Sequence, residues 1–113
     1  MNDSKDSMLR LYHIHDACQR VALFLEGYDF DMFCRDQKTQ SAVTNQIKII
    51  GEAARNMQSE IRDTVKDVAW EDVIGMRNKL VHDYFEIELS VVWETATRDV
   101  PDLLAKIQKV LSL

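Results

Sequence analysis

The sequence predicts an all-α protein: an up-and-down bundle of four to five helices in one domain over residues 1–113. Three observations carry that expectation. Gly occurs three times and Pro once, far less turn punctuation than a sandwich or barrel requires. Apolar residues recur at spacings of three and four along most of the chain, the period of a helix with one buried face. The stretches between these runs are short, so neighbouring helices should run antiparallel.

The first helix is expected from about Ser7 to Glu26, with Leu11, Ile14, Cys18, Val21, Ala22 and Leu25 on its buried stripe. Ser4, Asp6 or Ser7 offers a side-chain cap, and Gly27 tolerates the left-handed backbone that often stops a helix. Tyr28 to Cys34 is a connector with room for one helical turn after Asp29; Phe30 and Phe33 close one end of the core. A second long helix spans about Lys38 to Met57, burying Val43, Ile47, Ile50, Ala54 and Met57. Asn45, Lys48, Glu52 and Arg55 form a polar stripe on another side. Gly51 sits inside this helix at a cost of about 1 kcal/mol against Ala. Either a close backbone approach or a tolerated imperfection accounts for it.

A short helix fits around Ser59 to Val65. Another runs from Trp70 to His82 or Tyr84, burying Val73, Met76 and Leu80, with Asp67 as a candidate cap. A last helical region starts near Glu88 with Leu89, Val92, Trp93, Ala96 and Val100 inward. Pro101 lacks an amide hydrogen and must kink it or start a new helix; Asp99 could cap such a restart. Leu103, Leu104, Ile107, Val110 and Leu111 continue the pattern.

The net charge is −5, from 19 acidic and 14 basic side chains. That argues against a non-specific duplex-DNA binder, which needs a broad basic face, and leaves room for a local nucleic-acid site. No apolar stretch approaches the ~20 residues of a membrane span, and the N-terminus lacks an apolar signal core. The expected location is the cytoplasm, with Cys18 and Cys34 as reduced core thiols.

One polar cluster does not fit a plain bundle. Residues 75 to 85 read Gly-Met-Arg-Asn-Lys-Leu-Val-His-Asp-Tyr-Phe. On a continuous helix Asn78 and His82 would lie about 40° apart in azimuth, but Arg77 and His82 about 140° apart. A loosened helix end, or a second copy across a two-fold axis, would bring them together. A neutral imidazole removes a proton near pH 7 and an imidazolium returns one. A guanidinium grips two phosphate oxygens. RNA supplies its own nucleophile, the 2′-hydroxyl, so this set can cleave RNA without a metal. His82 would act on the 2′-hydroxyl, Arg77 on the charge developing at phosphorus, and Asn78 would orient one of them. The plain alternative pairs Asn78 with His82 and Arg77 with Asp72 or Asp83, and packs Tyr84.

These residues resemble the HEPN superfamily, and within it the HepT-like ribonuclease toxins. The family motif is Arg, four residues, His, one residue, Tyr, and here it reads Arg77-Asn-Lys-Leu-Val-His82-Asp-Tyr84 without departure. Ile49-Ile-Gly-Glu-Ala-Ala, Trp70 followed by Ile74-Gly-Met-Arg, Val91-Val-Trp-Glu and Val100-Pro-Asp-Leu extend the resemblance over nearly the whole chain. It implies a HEPN-like helical homodimer with both motif copies lining one cleft, and Arg77, Asn78 and His82 as ribonuclease residues. It implies a cognate minimal nucleotidyltransferase antitoxin of the MntA type, which transfers AMP to the motif tyrosine, here Tyr84. It implies no cofactor.

Glu52 falls in the family-like helix signature. It could line the cleft and hold Arg77, or lie on a solvated face with Lys48 and Arg55. His13 and His15 point about 200° apart on a helix, so one helix cannot aim both at one metal. Without a carboxylate or thiol cluster they read as ordinary surface or interface histidines, and no metal site is expected. Trp70 and Trp93 read as core or interface anchors. Two further functions compete with the ribonuclease: a non-enzymatic helical partner or regulatory subunit of a nucleotidyltransferase, and a plain dimerisation module.

Overall fold

The computed structural model describes the backbone of residues 3–82 and 86–113 and the side chains of 8–80 and 88–113. Among the described residues the chain is mostly helical. The long helices α1 (Asp3–Phe24) and α3 (Gln37–Arg55) flank a short α2 (Phe30–Cys34). Four short segments follow: α4 (Ser59–Arg62), α5 (Trp70–Ile74), α6 (Met76–Leu80) and α7 (Leu89–Glu94). A π-helical turn (Thr95–Asp99) leads into α8 (Val100–Leu111). Between α6 and α7, β1 (Val81–His82) and β2 (Glu86–Ile87) pair antiparallel, with His82 opposite Glu86.

Apolar periodicity places the helices. Leu11, Ile14, Cys18 and Val21 from α1 meet Val43, Ile47, Ile50 and Ala54 from α3, all fully buried in one apolar cluster. Arg20 Nη1 donates to Gln46 Oε1 at 3.5 Å, while Arg10 and His13 share a groove with Glu52 and Asn56. Moving forward along α1 therefore means moving backward along α3: the two are antiparallel. α8 adds Leu103 and Ile107 to the cluster and packs on α1. Phe33 is buried and Phe30 partly exposed, and both ring faces tilt against Trp93, at centroid distances of 5.4 and 6.0 Å. Trp70 is half-buried and its Nε1 donates to the Arg62 carbonyl at 3.0 Å.

Helix ends follow local chemistry. Gly27 carries φ +79°, as a glycine stop requires. Asp29 caps α2 by accepting from Met32 N at 2.8 Å. Asp36 caps α3 by accepting from Thr39 N at 3.0 Å. Its second carboxylate oxygen accepts from the Thr39 and Tyr28 hydroxyls. Gly51 is required by close approach: a Cβ there would lie 3.3 Å from the Ile74 carbonyl oxygen and 3.5 Å from that of Val73.

The structure corrects several expectations. The helix from Trp70 is not continuous to His82. It breaks at Gly75, restarts, and ends at Leu80, whose carbonyl accepts from the Glu88 amide at 3.2 Å. Asp67 does not cap α5; it has φ +64°, and its carbonyl accepts from Lys106 Nζ at 2.6 Å. Nor does Asp99 cap a restart. Helical backbone runs through Thr95, Asp99 and Val100. A widened π-helical turn leaves room for the Pro101 ring where an α-turn would clash.

His15 is buried: it shares the inward stripe with Leu11 and Cys18. Its Nδ1 lies 3.0 Å from Asp16 Oδ1, and Nε2 has no hydrogen-bond partner. Cys34 is exposed and so is no core thiol, whereas Cys18 is buried. Burial pushes the Cys18 thiol up to about 12. Ala22 and Val110 face outward. No described helix is long and apolar enough to cross a membrane.

Candidate active site

Met76 and Leu80 are four apart on α6 and both are buried. With that side anchored in the core, Arg77, Asn78 and Lys79 face outward. The Gly51 contact draws α3 against the α5–α6 junction, so the exposed side of α6 and the polar stripe of α3 form two walls of one cleft. Its volume is about 540 Å³. Lys48, Glu52 and Arg55 line it from α3, and Glu71, Arg77 and Asn78 from the other wall. Three cations face two carboxylates here, a local positive balance on a chain whose net charge is −5.

Arg77 Nη1 donates to Asn78 Oδ1 at 3.5 Å. The contact is long and exposed, and Arg77 lines the cleft beside Asn78. A guanidinium fork can take two oxygens of a phosphate at once. Glu52 lines the same cleft with its side chain two-thirds exposed; the ion pair it makes among the described residues is a 4.0 Å contact with Arg55. That contact is weak at such exposure. Glu52 lines the α3 wall of the cleft and Arg77 the other.

The backbone carries His82 beyond the end of α6 into β1. Arg77 and His82 are therefore not two points on one rigid helix, and the 140° separation of an ideal helix does not govern them. The side chain of His82 and all of Tyr84 lie outside the described residues. The structure thus brings Arg77, Asn78 and Glu52 to one cleft, and places the His82 backbone at the end of the segment that forms its wall. Lys48, Arg55 and Glu71 also line the cleft, outside the motif and the Glu52 position. Lys48 was legible as one turn before Glu52 on the same stripe; no local pattern marks Glu71. Among the described residues no three His, Cys, Asp or Glu side chains gather as a metal-holding group.

Comparison with known proteins adds a second line. The family described as "Ribonuclease HepT-like" matches residues 14–110. "Putative RNase TTE0752" of Caldanaerobacter subterraneus subsp. tengcongensis is 33% identical over 101 residues, covering 89% of this chain and 90% of that one. "Probable ribonuclease HepT" of Thermococcus cleftensis is 34% identical over 100 residues, covering 88% and 91%. "Putative RNase MJ0127" of Methanocaldococcus jannaschii is 31% identical over 107 residues, covering 95% and 88%. No solved structure matches significantly.

Proposed function

The chain belongs to the HepT-like ribonuclease family, and from that premise we propose that it is a metal-independent endoribonuclease toxin acting at the Arg77 cleft. The observation that carries the proposal is the convergence of Arg77 and Asn78 with Lys48 and Arg55 in one open, locally cationic cleft. The motif histidine follows on the same segment.

In the proposed reaction the neutral imidazole of His82 takes the proton from a ribose 2′-hydroxyl. The 2′-oxygen attacks the adjacent phosphorus, and the bond from phosphorus to the 5′-oxygen breaks. The leaving 5′-oxygen takes a proton from an imidazolium, supplied by His82 of a second copy across a two-fold axis. The products are a 2′,3′-cyclic phosphate and a 5′-hydroxyl. Arg77 holds the non-bridging oxygens as negative charge grows on them, an effect worth roughly 3 kcal/mol for a well-placed donor. Asn78 steers the guanidinium through its carbonyl oxygen. The nucleophile comes from the substrate and the proton shuttle from the protein, so the step requires no bound ion.

Control is proposed to come from a cognate minimal nucleotidyltransferase that adds adenylate to Tyr84, two residues after His82. A phosphate-linked nucleotide there would oppose RNA by bulk and by negative charge.

Expression of the full chain, with and without the nucleotidyltransferase, tests the reading. Growth arrest by the wild type, relief by the partner, and no arrest by His82→Ala support it. Stable binding of the partner with no arrest in any combination would favour a non-enzymatic subunit instead.

A further inference from the structure

A second groove adjoins the cleft on the other flank of α3. It lies between α1 and α3, holds about 300 Å³, and shares Lys48 and Glu52 with the cleft. Its floor is apolar, with Ile49 partly exposed and Ala53 beneath it. Its rim is polar: Arg10 and His13 from α1 face Asn45, Lys48, Glu52 and Asn56 from α3, two permanent cations against one carboxylate. Asn56 Nδ2 already donates to the Glu52 carbonyl at 2.9 Å, which fixes the amide and leaves its oxygen to accept.

We propose that this groove is a nucleotide subsite that holds one unstacked base of a single-stranded RNA whose neighbouring phosphate lies in the Arg77 cleft; the inference rests on the ribonuclease reading of that cleft. Three features fit a base. An apolar floor can cover a base face, and single-stranded recognition commonly lays splayed bases on apolar or aromatic side chains. Amide groups at the rim can bond base edges. Arg10 and Lys48 sit where flanking phosphates would run, and Lys48 belongs to both depressions, so a chain can pass from one to the other without leaving a cation. A duplex could not use the slot, because its bases are stacked and paired. The proposed substrate is therefore a loop or an unpaired strand.

The test is binding of a fluorescently labelled single-stranded RNA dodecamer by the full-length protein carrying His82→Ala, so that no cleavage intervenes. Salt is varied, and a duplex of the same sequence is run beside it. Ile49→Asp, a change at an exposed position, should weaken single-strand binding about tenfold, the scale of partly burying one apolar side chain. Arg10→Gln should reduce the salt slope by about 0.7, the value for one phosphate contact on a single strand. The single strand should bind more tightly than the duplex. Unaltered affinity and slope in both variants would overturn the inference. So would a drop in sedimentation mass without a change in RNA affinity, which would make the groove a contact between copies. Cleavage is assayed separately with His82 intact. Weakened binding by the variants, with no cleavage by the His82-containing protein, would keep the subsite and remove the ribonuclease reading. Cleavage by that protein, with binding unaltered in both variants, would do the reverse.

Discussion

Gly51 and Ile74 meet backbone to backbone: a Cβ on Gly51 would stand 3.3 Å from the Ile74 carbonyl oxygen. This approach presses α3 onto the α5–α6 junction and so sets the width of the cleft that holds Arg77. Gly51→Ala should consequently gain nothing from helix propensity. The about 1 kcal/mol that Ala offers in a helix is offset by displacing a carbonyl that belongs to another helix. Propensity alone would raise the melting temperature by about 4–8 °C, and such a rise would refute the contact. Gly51→Val, which adds bulk to the same contact, should destabilise by about 1–3 kcal/mol. Calorimetry on the three proteins decides both.

Asp36 gives the fold an acid-sensitive anchor. Hydrogen bonds from the Tyr28 hydroxyl, then from the Thr39 backbone and hydroxyl, lower its carboxyl from 3.8 to about 2. A carboxyl held lower in the folded state stabilises the fold above its unfolded value, and that contribution fades as pH falls through the folded value. Wild type should thus exceed Asp36→Asn in melting temperature at pH 7. The gap should close between about pH 4 and pH 2. A gap that stays constant over this window would show that the charge is not what stabilises.

The two thiols should separate cleanly. Cys34 is exposed, while Cys18 is buried with its thiol pushed up to about 12. Reaction with a thiol reagent at pH 8 should label Cys34 in the native protein and Cys18 only in denaturant. Fast native labelling at Cys18 would mean that the α1–α3 interface opens.

Adenylation is predicted at Tyr84 when the nucleotidyltransferase and ATP are present. Intact-mass spectrometry should show the wild type gaining adenylate and Tyr84→Phe remaining unchanged. The same shift in both proteins would place the modification elsewhere.

Much of this architecture is legible in the sequence because apolar spacing is a one-dimensional record of burial. The stripes from Leu11 to Val21 and from Val43 to Met57 are buried as their spacing implies, and Gly27 stops its helix. What escaped depends on contacts between distant segments. Nothing local says that Leu80 gives its carbonyl to Glu88, so the end of α6 appears only in three dimensions. Pro101 is visible as an obstacle, but its resolution by a π-helical turn depends on how the α7–α8 segment is held by its neighbours. His15 belongs to a His-x-His pair that reads as surface, yet its spacing from Leu11 and Cys18 puts it inside. In the site, the polar stripe of Asn45, Lys48, Glu52 and Arg55 was readable. That it faces Arg77 follows from the Gly51 contact, which spacing cannot encode.

Cleavage of RNA by the purified full-length protein in EDTA, with end groups identified, probes the proposed chemistry most directly. The expected products carry 2′,3′-cyclic phosphate and 5′-hydroxyl ends. Arg77→Ala should lower the rate by about a hundredfold to a thousandfold, and His82→Ala should abolish cleavage, each with the wild-type melting temperature. Equal cleavage by wild type and both variants, or cleavage that starts only when a divalent ion is restored, would contradict that chemistry.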